Sequence, residues 1–195
     1  MYSYNDHAIV LRRHPYGEAD YILSLLTRNR GRVKVVAKGV RKLNSRRGGH
    51  LDLFNHVEVQ VRDGYGLGIV TEVKALESFS KAKESLAKVG QFYYLSELIE
   101  NLLAEEQENE FVYHELVGLC RMVENGHDAK DSKVEAWLRD FEISILKNLG
   151  YWSDDLHGAA YPQTLPSQRE FNQVLIRDAA DRQFNTPAII RNFAT

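Results

Sequence analysis

The chain has 195 residues, 44% of them hydrophobic, and 25 Lys and Arg stand against 27 Asp and Glu for a net charge of −2. That is enough apolar material for the core of one domain or two small ones, and no window reaches the ~18 consecutive apolar residues of a membrane span. Cys120 is the single cysteine, which excludes an intrachain disulfide and a multi-cysteine zinc site, and the opening MYSYNDHAIVLRRH lacks the basic-then-apolar order of a signal peptide, so a cytoplasmic location is expected.

Up to about residue 76 the periodicity is that of strands. Five candidates follow one another: HAIVLRRH, ADYILSLLT, RVKVVAKG, NHVEVQVR and LGIVTEVKA, separated by the turn signals PYGE, RNRG, SRRGG and DGYG. In NHVEVQVR, Val57, Val59 and Val61 alternate with His56, Glu58, Gln60 and Arg62, the pattern of a sheet with one wet face. In RVKVVAKG, Val33, Val35 and Ala37 share one face while Arg32, Lys34 and Lys38 share the other. Five short strands without a long helix predict a small barrel, in an order compatible with an OB-fold.

After Phe79 the spacing lengthens to that of helices. GQFYYLSELIENLLAEE places Phe92, Leu95, Leu98 or Ile99, and Leu102 on one stripe. NEFVYHELVGLCRMVENG begins at an Asn cap and stops at Gly126, and DSKVEAWLRDFEISILKNLG begins at Asp131 or Ser132 and stops at Gly150. YWSDDLHGAAYPQTLP has loop composition, and SQREFNQVLIRDAADRQF resumes as a helix capped by Ser167. The expected architecture is therefore α+β and multidomain: a five-stranded OB-fold barrel over residues 1–78, then an all-α helical domain over 79–195.

No catalytic constellation accompanies these elements. The glycines of DGYGLG lead into a strand, whereas dinucleotide fingerprints lead into a helix, so they read as a hairpin. The seven histidines include no pair at metal-binding helical spacing, and His114, beside Glu115, reads as structural. Cys120, within LVGLCRMV, reads as a small core residue. The acidic stretch LAEEQENE, residues 103 to 110, reads as a solvated helix end or turn, or as a segment facing a basic partner.

Charge is unevenly distributed along this layout. Residues 1–80 carry 13 Lys/Arg against 8 Asp/Glu, and the rest carry 12 against 19. Residues 28 to 47, RNRGRVKVVAKGVRKLNSRR, hold nine Lys or Arg and no acid. A solvated loop is the simple reading of such a run. Three details favour an anion site: the charges are mostly Arg, whose planar guanidinium matches phosphate oxygens; they occupy both a strand face and the loop beyond it; and Ser45, Gly48 and Gly49 let that loop approach a backbone. The aromatics Tyr16, Tyr21, Phe54 and Tyr65 lie nearby, of which Tyr16 and Tyr65, in turns, are the better candidates for base stacking.

The first third of the chain resembles the bacterial recombination mediator family RecO. The resemblance rests on GEAD after a short apolar strand, LLT followed by GRVKVVAKGVRK, the Ser-Arg-Arg tract, and LDLF leading into an alternating strand, and continues less specifically through YYLSELIENLL and ILKNLGY. It implies an OB-fold followed by a helical domain and a non-enzymatic role in recombinational DNA repair. Members bind single- and double-stranded DNA, anneal complementary strands, and help load recombinase onto DNA coated by single-strand-binding protein. Their partners are RecR and the C-terminal tail of the single-strand-binding protein, with no cofactor and no membrane, in the cytoplasm at the nucleoid.

Carried onto this sequence, the resemblance implies DNA contacts by Arg30, Arg32, Lys34, Lys38, Arg41, Lys42, Arg46 and Arg47, with Gly39 permitting the strand-to-loop bend. Many relatives carry a four-cysteine zinc site after the segment matching LKNLGYWSDDLHGAA; here Leu156, His157, Gly158, Ala159 and Ala160 stand where its first pair falls, so no zinc is expected. Two other classes fit the residues alone: an RNA-binding or ribosome-associated barrel, and an interaction adaptor whose basic run serves solubility.

Overall fold

The computed structural model describes residues 2–64, 66–125 and 132–180. Five strands come first: β1 (Ser3–Tyr16), β2 (Asp20–Thr27), β3 (Gly31–Ala37), β4 (His56–Arg62) and β5 (Gly68–Glu77). The helices α1 (Ser80–Lys83), α2 (Leu86–Leu102), α3 (Glu110–Glu124), α4 (Ser132–Asn148) and α5 (Leu165–Ala180) follow, with one π-helical turn at Asp154–Gly158 before α5. This is the expected OB-fold barrel followed by helices.

The sheet closes in the order β1-β2-β3-β5-β4, with β4 returning to β1. Closure works because β1 is long enough to serve two partners: Ser3–Ile9 pair with β4 and Ala8–Tyr16 with β2, and a register shift between Val10 and Arg12 bends the strand between them. The seam is the short parallel contact of Val35 with Gly68 and Val36 with Ile69. A Cβ on Gly68 would lie 2.8 Å from Cγ1 of Val61 on β4, so a side chain at this end of β5 would crowd the neighbouring strand. Inside lie Ala8, Val10, Leu23, Leu25, Val33, Val35, Val57, Val59, Val61 and Val70, the inward halves of the alternating patterns.

The chain divides into two compact units that are not contiguous in sequence. One comprises Met1–Ser80 with Leu103–Cys120, the other Lys81–Leu102 with the residues from Arg121 onward. The expected division at residue 78 thus differs from the observed one by a loan: residues 103–120 return to the barrel. The physical reason lies in two contacts. Arg32 and Glu105 form a parallel bridge, and the Tyr113 hydroxyl reaches His56 Nε2 at 2.7 Å. His56, read as facing solvent, is accordingly buried, and its Nδ1 lies 2.8 Å from Glu77 Oε1.

Helix boundaries shift for identifiable reasons. The helix expected over 90–106 begins at Leu86, where Val89 N–H donates to the Ser85 carbonyl, and stops at Leu102 as the next residues peel away to bridge Arg32. The Asn109 cap holds as read, its side chain accepting from Val112 N–H at 3.1 Å. α4 stops before Gly150, which takes the left-handed φ of 80°. α5 starts before Ser167, at Leu165, because Pro166 is tolerated in a first turn. The expected stops at Gly126 and beyond Ala180, and the start at Asp131, lie outside the described residues.

In the helical unit α5 packs on α4 and α2. Glu142, fully buried, sits at the centre of that packing: it accepts from the Tyr94 hydroxyl and, at 2.9 Å, from Asn172 Nδ2, and pairs with Arg139 Nη1 at 2.9 Å. Burial drives its pKa above the ordinary carboxylate range, against the pull of Arg139. Beyond α4 the rings of Trp152, His157, Tyr161 and Phe171 form a small aromatic cluster at centroid distances of 5.3 to 6.1 Å. Cys120 is buried, as a core residue should be.

Candidate nucleic-acid interface

The basic run divides into three groups with different partners. β3 shows the parity read from the sequence, with Val33, Val35 and Ala37 buried and Lys34 exposed on the opposite face. That face is not open, because the acidic stretch 103–110 runs along it. Arg32 Nε donates to the Leu103 carbonyl at 3.1 Å and its Nη1 lies 3.3 Å from Glu105 Oε1. Lys34 Nζ approaches the same oxygen to 2.5 Å. One turn earlier, Arg28 Nη2 lies 2.7 Å from Glu110 Oε1.

These cations hold both carboxyls below the ordinary range, the Lys34 hydrogen bond dominating for Glu105 and the Arg28 hydrogen bond for Glu110. The acidic strap is seated closely. Gly31 has a φ of 65°, and a Cβ there would lie 1.7 Å from the Gln107 carbonyl oxygen, so only glycine lets the two backbones approach. Arg30 takes a different partner: its guanidinium lies over the Tyr4 ring at 3.9 Å, with Nη1 3.9 Å from Asp63. A depression of about 300 Å³ beside it is lined by Arg30 and Lys34 but also by Asp63, Glu105, Glu106 and Glu108, a balance that does not favour phosphate.

The second group braces the loop that follows β3. Gly39, with a φ of 70°, turns the chain, and its N–H donates to Asp20 Oδ1 at 2.7 Å. Arg41 N–H donates to the Ala19 carbonyl at 2.9 Å, while its Nη1 donates to the Gly17 carbonyl at 3.2 Å. Arg47 is spent on main chain: its guanidinium donates to the carbonyls of Lys38 at 2.8 Å, Thr71 at 3.2 Å and Val70 at 3.4 Å. Val40 and Leu51 are buried and pin the two ends of the loop to the barrel core. Arg13 pairs with Asp52 at 2.8 Å near its exit.

The third group is Lys38, Lys42 and Arg46. All three are exposed and have no side-chain partner among the described residues. Sequence reading placed eight basic residues and Gly39 on one interface; the structure leaves three cations unengaged, on a loop held in shape by two of the others. Tyr16, 55% exposed, ends β1 opposite Asp20, beside the glycine whose carbonyl Arg41 grips, so it stands at the same edge. Tyr65 lies outside the described residues. Phe54 is buried and Tyr21 half-buried beneath Arg13 and Arg41, which makes them packing residues.

Two features of this surface escaped sequence reading. Tyr4 could not be paired with Arg30 without the barrel register. Leu43, at the apex of the loop, carried a signal: it is the lone large apolar side chain within RKLNSRR.

Comparison with known sequences adds an independent view. Residues 1–79 match the family described as recombination protein O, N terminal, and residues 83–154 match its counterpart, recombination protein O, C terminal. The DNA repair protein RecO of Roseiflexus sp. (strain RS-1) is 38% identical over 148 residues, which is 76% of this chain and 50% of that protein. The chain thus spans about half the length of the curated relative it matches.

Proposed function

The chain belongs to the recombination protein O family, and on that footing we propose that it is a DNA-binding mediator of recombinational repair that anneals complementary strands. The observation that carries the reading is the braced loop after β3, where Lys38, Lys42 and Arg46 have no side-chain partner among the described residues. A phosphate backbone is the ligand that a row of unengaged cations beside an OB-fold barrel suits.

Annealing needs no catalytic group. Lys38, Lys42 and Arg46 neutralise phosphates of a strand and lower its repulsion for the complement, while the bases stay free to pair. The strap-covered side chains Arg28, Arg32 and Lys34 take no primary part. The annealed strand would be delivered with RecR and the C-terminal tail of the single-strand-binding protein as partners, in the cytoplasm, and would let recombinase load. No described helix is long and apolar enough to cross a membrane.

The test is annealing of complementary oligonucleotides coated with the cognate single-strand-binding protein, with and without this chain. Acceleration that disappears when the coat protein's acidic tail is removed supports the proposal. A strong preference for RNA of equal length, or no binding of any nucleic acid at low salt, overturns it.

A further inference from the structure

Among the described large hydrophobic residues Leu43 has the highest relative exposure, 104%, well above the next, Leu156 at 75%. Ser45 N–H donates to the Lys42 carbonyl at 2.9 Å, which closes a tight turn and sets Leu43 and Asn44 at its tip. The turn does not hang loosely. Lys42 N–H donates to the Gly39 carbonyl at 3.3 Å, Arg47 clamps three carbonyls, and a Cβ on Gly48 would lie 2.7 Å from the Val40 carbonyl, so the return limb is packed against the outgoing one.

A fully solvated leucine on such a braced turn gains nothing from burial, and its chain neighbours Lys42 and Asn44, like Arg46 just beyond, are exposed and polar. Cations on either side of an apolar tip repel a basic or a purely apolar partner surface. They suit a partner that has anionic groups next to apolar flat faces, and a nucleic acid strand is such a partner: phosphates outside, base faces within. Leucine is among the side chains that enter between base steps and unstack them.

We propose that Leu43 is an unstacking wedge, inserted between bases of the strand whose phosphates Lys42 and Arg46 hold. The inference rests on the DNA-binding reading and deepens it by giving the loop a second task. Bases in a single strand stack on one another and fold back; a wedge that opens a step presents them for pairing. Charge alone holds the strand, and the leucine prepares it.

The 195-residue chain is titrated into a single-stranded oligonucleotide carrying 2-aminopurine, whose fluorescence rises on unstacking, while binding is followed separately by anisotropy of an end label. The wild type is expected to raise the fluorescence on binding. L43A is expected to lose most of that rise and to bind about tenfold more weakly, the factor that corresponds to one leucine no longer buried, with an unchanged salt slope. L43K, which adds a phosphate contact and removes the wedge, is expected to bind at least as tightly as wild type yet give no rise. Both variants should keep the wild-type Tm, because the side chain is fully exposed. Binding without any rise in the wild type, or a rise retained by L43K, overturns the wedge and leaves the DNA reading standing. Absence of anisotropy change in the wild type overturns both.

Discussion

Arg32 meets Glu105 twice: their main chains form a parallel bridge, with Glu106 N–H donating to the Arg32 carbonyl at 2.8 Å, and Arg32 Nη1 lies 3.3 Å from the Glu105 carboxylate. The oxygen that Arg32 approaches also receives Lys34. One carboxylate therefore engages two of the cations that the sequence sets on a phosphate-binding face, and DNA reaching that face would have to displace it.

Removing that carboxylate should enlarge the footprint. E105Q frees Lys34 while the main-chain bridge keeps the strap in place. Single-stranded DNA should bind a few-fold more tightly at low salt, with a slope of log K against log salt steeper by about 0.7 for the added phosphate contact. Exposed ion pairs contribute ~0–1 kcal/mol, so the Tm should hardly move. Titrations across a salt series check this. An unchanged slope would mean that the strand passes nowhere near β3.

Lys38, Lys42 and Arg46 should carry the opposite behaviour. Replacing all three with Ala is expected to flatten the salt slope by about 2, from three lost contacts at about 0.7 each, with no effect on folding because no described group bonds to these side chains. R47A should separate from this set. It removes the donors that satisfy the carbonyls of Lys38, Val70 and Thr71, and each unsatisfied group costs about 1–3 kcal/mol where water cannot replace the donor. Denaturant unfolding of the two variants distinguishes a binding residue from a brace.

Gly31 sits against the backbone of the acidic strap with no room for a side chain. G31A puts a methyl group 1.7 Å from the Gln107 oxygen on a residue with φ of 65°, where a side chain already costs ~1–2 kcal/mol. Either the strap lifts or β3 bends, and a loss of at least about 2 kcal/mol is expected from clash and strain together. If the strap lifts, DNA affinity should rise in the same variant, which chemical denaturation and anisotropy measured side by side would reveal.

The strands were legible because each side of the barrel wall writes its own period-two signal. Val33, Val35 and Ala37, and Val57, Val59 and Val61, fell on the buried face as read. What the sequence could not convey is which surface would be covered by a segment from elsewhere in the chain. Glu105 stands 71 residues beyond Lys34, and a charge run looks the same whether solvent or a carboxylate faces it. The acidic stretch was open to a basic partner in the sequence; that the partner is β3 depends on where α2 ends. Arg47 illustrates a second limit, since a guanidinium that caps carbonyls and one that meets phosphate share the same residue type and spacing.

Glu142 is a buried carboxyl that couples the stability of the helical unit to pH. Burial raises its pKa in the native state, while in the unfolded chain it titrates at about 4.3. Between those two values the native protein holds a proton that the unfolded chain has released, so stability falls as pH rises through that window, by up to ~1.4 kcal/mol per pH unit for a single group. Glu105 and Glu110 act with the opposite sign in the barrel unit: their lowered values contribute stability that is present above about 4.3 and is lost as pH falls. The two effects can be read apart because the chain's two tryptophans, Trp137 and Trp152, both lie in the helical unit. Urea unfolding followed by tryptophan fluorescence should show wild-type stability declining as pH rises above about 4.3, until the native carboxyl ionises in turn. E142Q leaves Arg139 unpaired and is expected to be less stable at pH 7, but without that slope, because no proton is then exchanged at the site. A slope that persists in E142Q would mean that a different group is responsible.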